Sequence, residues 1–137
     1  MITQAYLENI QPQILKELEQ AKRNIVLAVT WLTDQQIFDK LCEKSVLGVE
    51  VELMIYDDIV NKNSRIDFRR FEKVGGKLYR LEELDSKSLT NNKYCIIDFS
   101  TVINGSYNWG CETPLIQETI TIIKNEEVLA RQFLNKY

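Results

Sequence analysis

The sequence predicts an α/β domain: a mixed, parallel and antiparallel β-sheet flanked by helices on both faces. Two observations predict it. Segments with apolar residues at helical spacing alternate with short, β-branched, almost wholly apolar runs. Later in the chain two such runs are separated only by a turn, the pattern of an antiparallel hairpin.

Taken in order, residues 2–7 read as a short strand. Pro12 suits the first turn of a helix, where its missing N–H is no loss. Ile10, Ile14, Leu18 and Ala21 then form one apolar face, with Leu15 beside them. The run NIVLAVTWL reads as a strand buried on both faces. Asp34 is placed to cap a helix that turns Ile37, Phe38, Leu41 and Cys42 inward. Gly48 breaks that helix, and VEVELMIYDD follows as a strand. After a polar loop at 61–64, a helix over about 64–74 ends at Gly75-Gly76, a C-cap signal. KLYRLE is the next strand, and a loop leads from it to KYCIID. The turn at Phe99-Ser100 and the returning run TVINGS complete the hairpin. IQETITIIK is a further strand. Asn125 is placed to cap a last helix with Val128, Leu129, Phe133 and Leu134 as its apolar residues.

No Pro/Gly/Ser linker divides the 137 residues, so 1–137 is read as one domain. The chain stops just after its last helix, which leaves open that it is the N-terminal part of a longer protein. At 45% hydrophobic and 27% charged it has material for a full core without disulfides or metal. A net charge of -3 argues against a globally basic nucleic-acid binder. The chain has no histidine, which excludes a histidine metal site, a Ser-His triad, a Cys-His dyad and a phosphohistidine in this sequence as written. Cys42, Cys95 and Cys111 fit no zinc framework. Their odd number, without a signal peptide, points to free thiols in a reducing compartment, and the expected location is cytoplasmic. The longest mainly apolar run, 25–32, is far too short to span a bilayer.

The stretch that carries chemistry runs Asn91-Asn92-Lys93-Tyr94-Cys95-Ile96-Ile97-Asp98, then six residues, then Gly105-Ser106-Tyr107-Asn108-Trp109. Lys93 opens a strand and Asp98 closes it at the hairpin. Gly105-Ser106 ends the returning strand, where a residue without Cβ lets backbone N–H groups approach a ligand. One ammonium, one hydroxyl and one amide thus converge at adjacent strand ends. Lys93 supplies a point charge and Ser106 and Asn108 neutral donors, a cradle suited to phosphate oxygens. Asp98 is expected to accept backbone N–H bonds at the turn. Tyr107 and Trp109 are expected to pack.

This spacing resembles the HKD signature of the phospholipase D superfamily, His-x-Lys-(x)4-Asp-(x)6-Gly-Ser-x-Asn. Lys93, Asp98, Gly105, Ser106 and Asn108 fall in register. The resemblance extends over NIVLAVTWLTD, GVEVELMIYDD, the Asp67-Phe68 helix leading to VGGKLYRLE, and the strand with Glu118, essentially the whole chain. It implies a phospholipase D-like fold and phosphodiester cleavage that needs no cofactor or metal. It also implies a homodimer in which two histidines meet across one cleft, one attacking phosphorus and one protonating the leaving group. Glu118 is the best match for the acidic residue that orients the histidine.

The sequence departs from the signature at the histidine itself, which is Asn91. A carboxamide is a very weak nucleophile and exchanges no proton near pH 7. Neither Cys95, inside a strand, nor Cys111, with no base partner, replaces it. Either the chain is a natural pseudoenzyme, or Asn91 was introduced to inactivate an enzyme; both fit the sequence.

Residues 62–80 carry seven cations against two carboxylates, a local balance of +5 in a chain of net charge -3. Arg65, Arg69 and Lys73 fall on one face at helical spacing and suit contacts to a phosphate backbone. With no long apolar stretch to enter a bilayer, nucleic acid is the better partner and a membrane the poorer one. The sequence reading is therefore a phospholipase D-like phosphodiesterase domain, a nuclease more than a lipase in parentage, that has lost its nucleophile and kept phosphate binding. Its alternative is a non-catalytic dimerisation or protein-interaction module on the same fold.

Overall fold

The computed structural model describes residues 2–56, 65–81, 93–107, 109–110 and 118–135. Seven strands form one sheet: β1 (Ile2–Tyr6), β2 (Asn24–Val29), β3 (Glu50–Tyr56), β4 (Lys77–Leu81), β5 (Lys93–Ile97), β6 (Thr101–Gly105) and β7 (Ile120–Lys124). Their order across the sheet is β1-β7-β6-β5-β2-β3-β4. β2, β3 and β4 run parallel, and every other neighbouring pair is antiparallel. The expected mixed α/β sheet is thus the one observed.

β2 lies between β5 and β3, and all six of its residues are buried. A strand covered on both faces has no polar side to keep, hence NIVLAV. One face is covered by α1 (Ile10–Glu19), α2 (Gln35–Val46) and α3 (Phe68–Lys73). Their Ile14, Leu18, Phe38, Leu41 and Phe71 pack on Ile25, Leu27, Leu53, Cys95 and Ile103 of the sheet. Among the described residues the other face is covered by α4 (Glu127–Leu134), whose Ala130, Leu129 and Phe133 meet Val26, Ala28, Tyr94 and Val102.

Asp34 caps α2 as expected, its Oδ1 accepting the Ile37 N–H at 3.0 Å. Two other helix ends differ from expectation. α3 starts at Phe68 because the Asp67 side chain accepts the Arg69 N–H at 3.1 Å and holds Asp67 itself extended. Arg65 therefore lies ahead of the helix, and only Arg69 and Lys73 share a helical face. At α4 the cap position is Glu126, without a side-chain cap bond, while Asn125 occupies a left-handed turn at φ 59°. Val128, one of its apolar residues, is 66% exposed, because α4 lies on the sheet through Ala130.

The antiparallel order brings alternate strand ends to one edge. Lys93 pairs with Val29 at the end of β2, Gly105 pairs with Ile120 at the start of β7, and Tyr6 at the end of β1 also pairs with Ile120. Lys93, Ser106 and Glu118 are thereby gathered along a single sheet edge, and the β5–β6 turn lies at the other.

Candidate phosphate-binding site

Lys93 is the first residue of β5 and is half-buried. Its Nζ points along the edge and donates a long hydrogen bond, 3.5 Å, to the Ser106 carbonyl. Ser106 is fixed from the other side by Thr119: its N–H donates to the Thr119 carbonyl at 3.0 Å, and its Oγ accepts the Thr119 N–H at 3.0 Å. A hydroxyl that accepts in this way keeps its own hydrogen to give to a ligand.

Gly105 explains how two strands come so close here. Its φ is +154°, and a Cβ on it would stand 2.2 Å from the Thr119 carbonyl oxygen. Only glycine admits that approach. The strand then turns its aromatic residues inward: Tyr107 and Trp109 are buried with ring centroids 6.5 Å apart. The Trp109 carbonyl accepts the N–H groups of Thr33 and Asp34, both at 3.2 Å. A Cβ on Gly110 would fall 2.4 Å from the Asp34 nitrogen. The segment after Ser106 is thus clamped to the start of α2, and Asp34 is held in turn by Gln11 Nε2 at 2.7 Å. Sequence reading missed this brace of Thr33, Asp34 and Thr119; glycines at 105 and 110 were the signal for it.

Asp98 stands at the far end of β5 from Lys93, so it touches nothing at the cradle. Its carboxylate accepts the backbone N–H groups of Lys22 (3.0 Å to Oδ2), Arg23 (2.7 Å to Oδ1) and Asn24 (3.1 Å to Oδ1). Partial burial pushes its pKa up, but the N–H groups of Arg23, Asn24 and Lys22 together outweigh that and hold it below the usual carboxylate value. These partners lead into β2, whose first residue is Asn24; they are not in the turn of Asp98 itself, where local sequence placed them. Glu118 lies two residues ahead of β7, at the edge that carries Ser106. Asn91, Asn108 and Cys111 lie outside the described residues, as do Lys62 and the loops at 61–64 and 82–90. Cys42 and Cys95 are buried free thiols, and burial raises the pKa of both.

Of the basic segment, Arg70 is bound to Asp39 at 2.6 Å, Arg80 lies over the Phe68 ring, and Lys77 faces Glu52 at 3.9 Å. Arg65, Arg69 and Lys73 are exposed and form no ion pair with another described residue. Among the described residues no cluster of three metal-ligating side chains occurs, and no helix is long and apolar enough to cross a membrane.

A family model described as a cardiolipin synthase, PLD-like domain matches residues 14–136. The chain belongs to this phospholipase D-like family. Its fold is that of solved family structures. Nuc, a phospholipase D family member from Salmonella typhimurium, superposes with a TM-score of 0.79 at 22% identity, covering 98% of this chain and 90% of Nuc. NucT from Helicobacter pylori gives 0.76 at 18% identity, over 98% of this chain and 92% of NucT. The archaeal chromatin protein TrmBL2, described as showing a novel mode of DNA binding, gives 0.72 at 16% identity, over 99% of this chain and half of TrmBL2. No curated protein matches the sequence.

Proposed function

We propose that this phospholipase D-like chain binds the phosphodiester backbone of nucleic acid and does not cleave it. The observation that supports the reading is Lys93 and Ser106 at one sheet edge together with an asparagine where the family signature has histidine. Lys93 and the Thr119-braced Ser106 share one sheet edge, while the position two residues before Lys93 is Asn91, where the family signature has histidine. Lys93 supplies the charge, Ser106 and Asn108 donate to phosphate oxygens, and Glu118 is the former partner of the lost imidazole. Arg65, Arg69 and Lys73 extend contact to flanking phosphates. The neighbour described as showing a novel mode of DNA binding supports nucleic acid as the ligand. One motif is half of the family's site, so the working form is read as a homodimer, and the odd number of cysteines supports a reducing, cytoplasmic compartment.

The test is anion and oligonucleotide binding. Tungstate and a short single-stranded oligonucleotide should bind the parent chain, with affinity that falls as salt rises. Lys93→Ala should weaken both by about tenfold or more, the scale of one charged hydrogen-bonding partner. Binding that ignores Lys93, or none at all, would leave the fold as an interaction platform with a relic pocket.

A further inference from the structure

β1 is an edge strand that the fold leaves unguarded. It pairs with β7 on one side only, and the outward row of its backbone N–H and C=O groups meets no described strand. Four of its five residues are exposed, and Tyr6 is half-buried against the core. Ile2 is 57% exposed. The strand reads Ile-Thr-Gln-Ala-Tyr, with no charge, proline or glycine. Edges of this kind are templates for a further strand, and proteins ordinarily blunt them with lysine, proline or a bulge. The opposite edge of the same sheet shows that protection: β4 is Lys-Leu-Tyr-Arg-Leu, with Lys77 and Arg80 among its exposed residues.

We propose that β1 is an assembly edge that pairs antiparallel with β1 of a second copy, about a two-fold axis through Gln4. The occupant is argued from the residues themselves. In that register Ile2 faces Tyr6, Thr3 faces Ala5, and Gln4 faces Gln4. A β-branched residue is thus set against an aromatic one, a favoured cross-strand pair, and two amides meet that can hydrogen-bond each other. No like charges are opposed at any position. The interface is isologous, so it closes on itself. A hollow of about 440 Å³ lined by Ala5, Tyr6, Leu7 and Glu8 lies at the strand's end, where Ile2 of the second copy arrives.

The geometry separates this assembly from the dimer expected of the family. Lys93 and Ser106 lie at the edge where β1 ends. Antiparallel pairing therefore sends the two cradles to opposite sides of one fourteen-stranded sheet, and both stay open. Edge pairing does not close two motifs over one phosphate; it leaves one open cradle at each edge of the joined sheet. Neither the cradle nor Asn91 enters the pairing, so it stands or falls independently of phosphodiester binding.

Sedimentation across a range of protein concentrations tests it. Gln4→Lys sets two ammonium groups against each other on the axis and should weaken self-association by about tenfold, halving the mass of the main species at intermediate concentration. Far-ultraviolet circular dichroism should be unchanged, since Gln4 is exposed. A second measurement reports the register. With Cys111 replaced by Ser, Gln4→Cys should be captured as a covalent dimer by a short bis-maleimide, and Lys77→Cys at the guarded edge should not. Equal sedimentation of the parent and Gln4→Lys, or no capture of a natively folded Gln4→Cys chain, would overturn the proposal.

Discussion

Asp98 shows how a residue of a catalytic signature can serve the fold alone. It sits at φ 54° in the β5–β6 turn, a conformation that aspartate tolerates better than most residues. Its carboxylate gathers three consecutive N–H groups at the start of β2, and its own N–H donates to the Asn24 carbonyl at 3.0 Å. The turn is thereby tied to the central strand. Phe99, also left-handed at φ 57°, is covered by the Arg23 guanidinium at 5.7 Å, one more link between the same two segments. Asp98→Asn keeps the shape and loses the charge. At neutral pH it should cost about 1–2 kcal/mol, the low end for charged hydrogen bonds because the group is partly exposed. The folded pKa is depressed, so this stabilisation is complete above the unfolded value of about 3.9 and is lost as pH falls through the lower folded value. Urea denaturation should therefore separate parent and variant at pH 7 and bring them together in acid. An equal gap at both pH values would mean that charge is not what Asp98 contributes.

At the scale of elements, α2 is the brace of the site. Its cap residue Asp34 accepts from Ile37 with one oxygen and from Gln11 of α1 with the other, while its N–H is held by the Trp109 carbonyl. Asp34→Ala should lower stability by about 1 kcal/mol, the usual worth of such a cap. The backbone N–H groups that hold the segment after Ser106 survive this substitution, so oligonucleotide binding should weaken only as far as the side-chain cap keeps them in place. A stability loss with unchanged binding would show that the side-chain cap does not reach the cradle. Elements of this kind were legible in sequence where a single local rule governs them. The faces of α1 and α2, the wholly buried β2 and the β5–β6 hairpin follow from periodicity and turn chemistry. Local rules failed at two helix starts: at α3, where Asp67 competes as cap, and at α4, where Glu126 and not Asn125 holds the cap position. Strand order was not legible, because register between β7 and its neighbours is set by contacts distant in sequence. Within the site, the motif spacing named Lys93 and Ser106, but the Thr119 carbonyl and N–H that fix Ser106 are backbone groups, which no residue type announces.

At the scale of the whole molecule, charge and topology work together. The chain is acidic overall, and a phosphate backbone is attracted only where cations collect. Topology runs α3 back from the end of β3 to the start of β4. Arg65 consequently stands toward the edge of Lys93 and Ser106, while Lys73 lies toward the opposite one. A strand of nucleic acid crossing the cradle edge would meet Arg65 first and be repelled by much of the remaining surface. Asn91→His returns a nucleophile and a proton carrier to the cradle, and the acid–base share alone is worth roughly 10² to 10⁴ in rate. If the cradle is otherwise whole, Asn91→His should hydrolyse a chromogenic phosphodiester in the presence of EDTA, and Lys93→Ala in that background should abolish turnover. The rate should rise with protein concentration through the range in which two chains associate, since one motif supplies only half of the attacking and protonating pair. A dimeric Asn91→His chain that binds oligonucleotide through Lys93 and yet releases no product would place the loss beyond the nucleophile, at Glu118 or Asn108. Turnover by the parent chain would contradict the assignment of Asn91 itself.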